Sequence, residues 1–196
     1  MKVAIIGNSG SGKSTLASRL AAGGAATILD LDLVFWEPDT HIERPRAQRI
    51  DEVQRFCREH DSWIIEGCYT DLIEASFPWA PELILLDPGP EVCISNCRRR
   101  PHEPHKFRTR EEQDQRLDFL IGWVSDYYHR DGPMSDRSHK SLFDRYEGPK
   151  RRIQRQEPAE QGDAPYSNTC NTTSCAPANP DSASGPRGQD RSAKGI

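Results

Sequence analysis

Apolar residues recur along this chain in short unbroken runs, each followed by a longer stretch in which they return every three or four positions. The run at 3–6 is β-branched and continuous, which predicts a strand buried on both faces. Over 14–22, Leu16 and Leu20 stand four apart among small residues, and Gly23-Gly24 ends the predicted helix. A second strand is expected at 27–31, closing on Asp30-Leu31-Asp32. Over 46–60, Ile50, Val53 and Phe56 or Cys57 fall on one side of a charged amphipathic helix. Strands at 63–65 and 83–86 run into Glu66-Gly67 and Asp87-Pro88. Helices are expected over 91–99, 111–130 and 135–146. The longest of them carries Leu117, Leu120, Ile121, Val124 and Tyr128, and a short edge strand follows at 150–154. Strands that alternate with helices predict an α/β fold, a parallel sheet with helices on both faces.

The pattern stops near residue 154. Beyond it, Tyr166 and Ile196 are the only large apolar or aromatic residues. A segment so poor in apolar surface cannot offset its ordering entropy. The expectation is a folded domain over 1–153 and a disordered polar tail over 154–196. That division accounts for a mean hydropathy of -0.78 over the chain. A net charge of -4 offers no global attraction for nucleic acid, and no apolar run reaches the length of a membrane span. The N-terminal apolar run is too short for a signal-peptide core, so a cytoplasmic chain with reduced thiols is expected. Cys93, Cys97, His102 and His105 have spacings that a zinc site can use. Against this, the two cysteines share a helix face with Val92 and Ile94, and the histidines sit among prolines. Core thiols are the favoured reading.

Between the first strand and first helix stands Gly7-Asn8-Ser9-Gly10-Ser11-Gly12-Lys13-Ser14-Thr15, which fits G-x-x-x-x-G-K-[ST], the Walker A phosphate loop. Phosphate oxygens are ringed by backbone N–H groups, so the backbone must curl closely, and glycine permits this. The helix start adds its partial positive charge. Lys13 supplies a cation for the outer phosphates, and Ser14 offers a hydroxyl to Mg²⁺. A flexible linker is the plain alternative, but a linker has no reason to join a buried strand to a helix.

Acids close the neighbouring strands. In a parallel sheet, ligands gather at the carboxyl ends of strands. Asp30 and Glu66 are therefore candidates to hold Mg²⁺ with Ser14, and Asp32 to accept or orient the proton of a substrate hydroxyl. Each acid alone would be an ordinary cap or turn residue. Arg98, Arg99 and Arg100 lead into the basic stretch 100–110, which has the composition of a cationic lid.

These motifs together ("IIGNSGSGKSTLA", "LDLD" with Trp36 beyond it, "WIIEGCY", "LILLDP" and the arginine run) resemble the P-loop kinases of the adenylate-kinase-like group. Among them the chain is most similar to the bacterial DNA topology modulation, or adenylate kinase-related, proteins. The resemblance implies ATP and Mg²⁺ binding, strand order 2-3-1-4-5, and a lid. That order puts the third strand between Asp32 and the phosphate loop. Glu66 stands where this group has an aspartate, and D-G-x-P-R of nucleotide kinases is absent. Asp30-Leu31-Asp32 resembles the D-x-D of shikimate kinase, though that enzyme's glycine triplet is missing. The reading that follows is an ATP-dependent kinase acting on a nucleotide or a small hydroxyl-bearing metabolite. Its rival is an ATP-binding regulator, DNA-associated, with little phosphotransfer.

Overall fold

A computed structural model describes residues 1–154, apart from 25, 38–41 and 103–107. The chain divides into two units, Met1–Pro165 and Tyr166–Ile196. The second unit lies outside the described residues, and so does the expected tail from 155 onward.

Five parallel strands form one sheet: β1 (Lys2–Gly7), β2 (Thr27–Asp30), β3 (Trp63–Gly67), β4 (Glu82–Leu86) and β5 (Lys150–Ile153). Their order is β2-β3-β1-β4-β5. The helices are α1 (Lys13–Ala22), α2 (Leu31–Phe35), α3 (Arg46–Glu59), α4 (Thr70–Glu74), α5 (Pro90–Arg99), α6 (Arg110–Gln115), α7 (Leu117–Asp126) and α8 (Asp136–Arg145).

The two-residue period of the strands sorts their side chains into two cores. Ala4, Ile6, Trp63, Ile65, Leu83 and Leu85 face α2, α3, α4 and α8. Val3, Ile5, Ile64, Ile84 and Leu86 face the other way, onto Ala17, Leu16 and Leu20 of α1. Both faces are covered, which is why β1, β3 and β4 read as continuous apolar runs. A third cluster joins Cys93 and Cys97 of α5 to Val124 of α7.

Three elements depart from the sequence expectation. Leu31 and Asp32 do not extend the second strand: the Asp30 carboxylate accepts from the Asp32 N–H at 2.9 Å and starts α2 there. A further short helix, α4, follows the third strand. The helix expected over 111–130 is broken at Arg116, which has φ -94° and ψ -2° and turns its N–H back to Gln113.

Candidate active site

Register sets the site. In the parallel ladders Asp30 is the partner of Glu66, and Glu66 is the partner of Ile5, two residues before Gly7. The phosphate loop and two acids thus share one end of the sheet. Gly67 allows α2 to reach it, since a Cβ there would meet the Leu31 side chain at 2.8 Å. Leu31 packs on the end of β3, and Asp32 follows at the mouth of the cleft.

The loop is built by its glycines and tied by two asparagines. Gly10 (φ 75°) and Gly12 (φ 95°) take left-handed conformations. A Cβ on Gly10 would strike the Cys93 carbonyl oxygen at 2.3 Å, so the loop lies directly on α5. Asn96 Nδ2 donates to the Gly10 carbonyl at 2.8 Å, and Asn8 Nδ2 donates to the Val124 carbonyl at 3.0 Å. Ser9 N–H donates to Asn8 Oδ1 at 2.8 Å. Gly12 has no side chain with which to cap α1, so the first-turn N–H groups of Lys13, Ser14 and Thr15 face the loop. Ser11 is buried, and its Oγ has no hydrogen-bond partner among the described residues.

Lys13 Nζ donates across the loop to the Asn8 carbonyl at 2.9 Å. Ser14 Oγ donates to Glu66 Oε1 at 2.6 Å. Burial, with the Asp30 charge beside it, pushes the Glu66 carboxyl up to about 7, against the opposing pull of Lys13 and Ser14. A buried carboxylate held up in this way gains from a cation. Ser14 and Glu66 offer the hydroxyl and carboxylate oxygens that could hold a hard cation such as Mg²⁺, which takes oxygen donors. Asp30 lies beside them with one oxygen engaged in the α2 cap.

Asp32 stands farther out on the β2 side. Its Oδ1 accepts from the Tyr69 hydroxyl at 2.8 Å, and Tyr69 is stacked on Phe35 with ring centroids 4.1 Å apart. Asp32 and Ser9 face a common cavity, whose other walls include Arg98 and Arg100 of α5 and its C-cap. Arg99 turns aside, donating to Asn96 Oδ1 at 3.3 Å. The stretch 100–110 is described only at its two ends, and the middle of the expected lid, 103–107, lies outside the described residues. His105 does too. Cys93 and Cys97 are buried under Gly10, and among the described residues no group of three or more His, Cys, Asp or Glu side chains is placed to hold a metal ion.

Several side chains that matter here were not singled out by the sequence. Tyr69 and Asn96 hold Asp32 and Gly10. Behind them His139, fully buried, accepts at Nδ1 from the Tyr127 hydroxyl at 2.8 Å and donates from Nε2 to the Cys68 carbonyl at 2.8 Å. Burial lowers its imidazolium to about 4, so the ring is neutral. It ties the end of α7 to the turn that follows Glu66. Asn96 falls on the same helix face as Cys93 and Cys97, a spacing that offered a signal; for Tyr69 and His139 there was none.

The sheet order, the strand–loop–helix at Gly7–Ser14 and the acids at the neighbouring strand end make this an α/β protein of the P-loop NTPase fold. No protein-family model and no curated protein matches the chain. Among solved structures it is similar to a gluconokinase from Sinorhizobium meliloti, with 15% identity and a TM-score of 0.46, covering 80% of this chain and 83% of that one. It is similar also to a shikimate kinase from Bacteroides thetaiotaomicron (18% identity, TM-score 0.41, covering 72% of this chain and 96% of that one). A sugar kinase from Janibacter shows 17% identity and a TM-score of 0.38, covering 63% of this chain and 93% of that one. At these values the similarity assigns no substrate. The narrower resemblance to DNA topology modulation proteins is carried by the motifs alone. Among the described residues no helix is long and apolar enough to cross a membrane.

Proposed function

We propose that the chain is an ATP- and Mg²⁺-dependent phosphotransferase acting on a hydroxyl-bearing acceptor. One observation carries this reading: the Ser14–Glu66 pair sits at the foot of the phosphate loop, while Asp32, across β3, lines a cavity together with Ser9 of that loop. A nucleotide-binding module needs the first feature; only a transferase needs the second.

In this reading the loop amides and the start of α1 hold the donor's phosphates, and Lys13 leaves the Asn8 carbonyl to meet the outer ones. Ser14 and Glu66 hold Mg²⁺, which neutralises charge on the phosphates when bound. Asp32, oriented by Tyr69, takes the acceptor's hydroxyl proton. The acceptor oxygen bonds to the γ-phosphorus as the bond to the β,γ-bridging oxygen breaks, and ADP leaves with that electron pair. Arg98 and Arg100 stabilise the charge on the moving phosphoryl group.

The reading is tested by Lys13→Ala. Nucleotide titration and ATP turnover should both fall by about 100-fold or more, in the range of a removed oxyanion donor, with circular dichroism unchanged. Titration equal to that of the parent chain would remove the assignment.

A further inference from the structure

The hydroxyl that holds Asp32 is itself held, and by Trp36, the residue beyond "LDLD" to which phosphotransfer gives no role. The inference rests on the transferase reading and deepens it. Trp36 closes α2 as its C-cap. An antiparallel return of the chain fixes its place. Trp36 bridges to Glu43, the Glu37 N–H donates to the Ile42 carbonyl at 2.9 Å, and the Arg44 N–H donates to the Phe35 carbonyl at 2.9 Å.

Three side chains meet on the Phe35 ring. Tyr69 stacks on it, with centroids 4.1 Å apart and planes 17° from parallel. The Arg49 guanidinium carbon lies 4.0 Å over the same centroid. Two groups cannot share one ring face at that distance, so Tyr69 and Arg49 hold Phe35 from opposite sides. Arg49 is buried, its Nη1 lies 3.8 Å from a Glu43 oxygen, and its Nε and Nη1 find no hydrogen-bond partner among the described residues. What it gives here is packing and attraction to the ring. Trp36 meets Phe35 edge-on, with centroids 4.8 Å apart and planes at 70°. From that position its side chain hydrogen-bonds the Tyr69 hydroxyl.

The direction of that bond is forced. An indole N–H only donates, an ionised carboxylate only accepts, and a phenol does both. Trp36 therefore donates to the Tyr69 oxygen, and the single Tyr69 proton goes to Asp32 Oδ1 at 2.8 Å. Burial raises the Tyr69 phenol and the Asp32 charge adds to this, so the hydroxyl keeps its proton.

We propose that Trp36 is a positioning residue, acting through Tyr69 to keep a hydrogen bond on Oδ1 of Asp32 while the Arg49–Phe35 stack supports Tyr69 from behind. The acceptor's proton is thereby directed to Oδ2.

The test reads Asp32 without the acceptor. The full chain carries ¹³C-labelled aspartate, and the Asp32 carboxyl signal, identified by its loss in Asp32→Asn, is titrated by NMR. Taking a donor away from a carboxylate raises its midpoint. Tyr69→Phe should raise it by about 0.7 pH unit, the worth of one hydrogen bond. Trp36→Phe keeps an aromatic edge and loses the N–H; it should raise the midpoint by about half as much, through the weakened Tyr69 bond. The double variant should match Tyr69→Phe alone, because Trp36 acts only through that hydroxyl. A second measurement needs no change at position 36: the sequence-assigned ¹⁵N indole signal of Trp36 should move upfield in Tyr69→Phe. An unmoved midpoint in Trp36→Phe, additive effects in the double variant, or an indole signal that stays in place each overturn the inference. ATP turnover with a panel of hydroxyl compounds is measured separately. A coupled Trp36–Tyr69 effect, with turnover in Asp32→Asn equal to the parent's, keeps the inference and removes the transferase reading. Turnover lost in Asp32→Asn without the coupling does the reverse.

Discussion

The Ser14 hydroxyl donates to Glu66 Oε1 at 2.6 Å, joining the first turn of α1 to the end of β3 across fifty-two residues of sequence. It ties the start of α1 to an acid of the sheet end, and it sets the first expectation.

Glu66 is charged at a cost in the ligand-free protein. Its folded value is raised from 4.5 to about 7, so its contribution to stability is complete below pH 4.5 and is lost as pH rises through 7. Glu66→Gln removes this loss and keeps an oxygen for Ser14. At pH 8 and without ligand the variant should melt about 5 °C higher than the parent, a shift worth one to three kcal/mol at this domain size, roughly. The gap should close toward pH 4.5. Mg²⁺-dependent nucleotide binding should weaken tenfold or more, roughly the loss of one charged ligand. Scanning calorimetry across pH, with and without Mg²⁺ and ATP, reads both. A variant less stable than the parent at pH 8 contradicts the account.

Asp32 and its tether should separate acceptor handling from donor handling. Asp32→Asn is expected to leave ATP affinity within a few-fold and to remove most acceptor-stimulated turnover. Tyr69→Phe keeps the stack on Phe35 and loses only the hydroxyl. It should cost about 1 kcal/mol of stability and lower turnover about tenfold, with KM changed less than kcat. If Asp32→Asn instead abolishes Mg²⁺-dependent nucleotide binding, Asp30-Leu31-Asp32 is the metal site.

His139 gives the opposite pH dependence. Its folded value is lowered from 6.5 to about 4, so its contribution is present above pH 6.5 and is lost as pH falls through 4. Urea unfolding of the parent should weaken over that window by more than that of His139→Gln, which cannot charge. Parallel pH profiles for the two would show that the imidazole is not held neutral.

Gly10 and Gly24 form a matched pair. Gly10→Ala meets the Cys93 carbonyl and a strained φ; Gly24→Ala meets nothing within 4 Å. The first should destabilise by roughly 2 kcal/mol or more and abolish nucleotide binding; the second should stay within about 0.5 kcal/mol. Equal effects would mean that the loop does not rest on α5.

The strands and the phosphate loop were legible because their signals are local, whereas the strand order came only from the family resemblance. Val3–Ile6 shows its burial in its own composition, and Gly7 to Ser14 shows its curl in its own glycines. The edge strand at Lys150–Ile153 was legible from position and length, with little apolar signal. Asp30 and Glu66 could be read as metal candidates and Asp32 as the acceptor's partner, but the contacts of each could not be read. That took the register pairing Asp30 with Glu66, the cap that turns Asp30 toward the backbone, and the hydroxyl of Tyr69.

The rest depended on groups far apart in the chain. Asn96 reaches Gly10 over eighty-six positions, and His139 reaches Cys68 over seventy-one. The helix face can mark Asn96, but neither bond names its distant partner, because a hydrogen bond asks only that two polar atoms meet in space. The break at Arg116 was hidden for a related reason. An uninterrupted helical pattern does not record where the chain must bend to close a cavity. Residue types and local order thus determined the strands and the phosphate loop. Tertiary packing decided which side chains surround each of these acids, because burial and charge neutralisation are properties of neighbours in space.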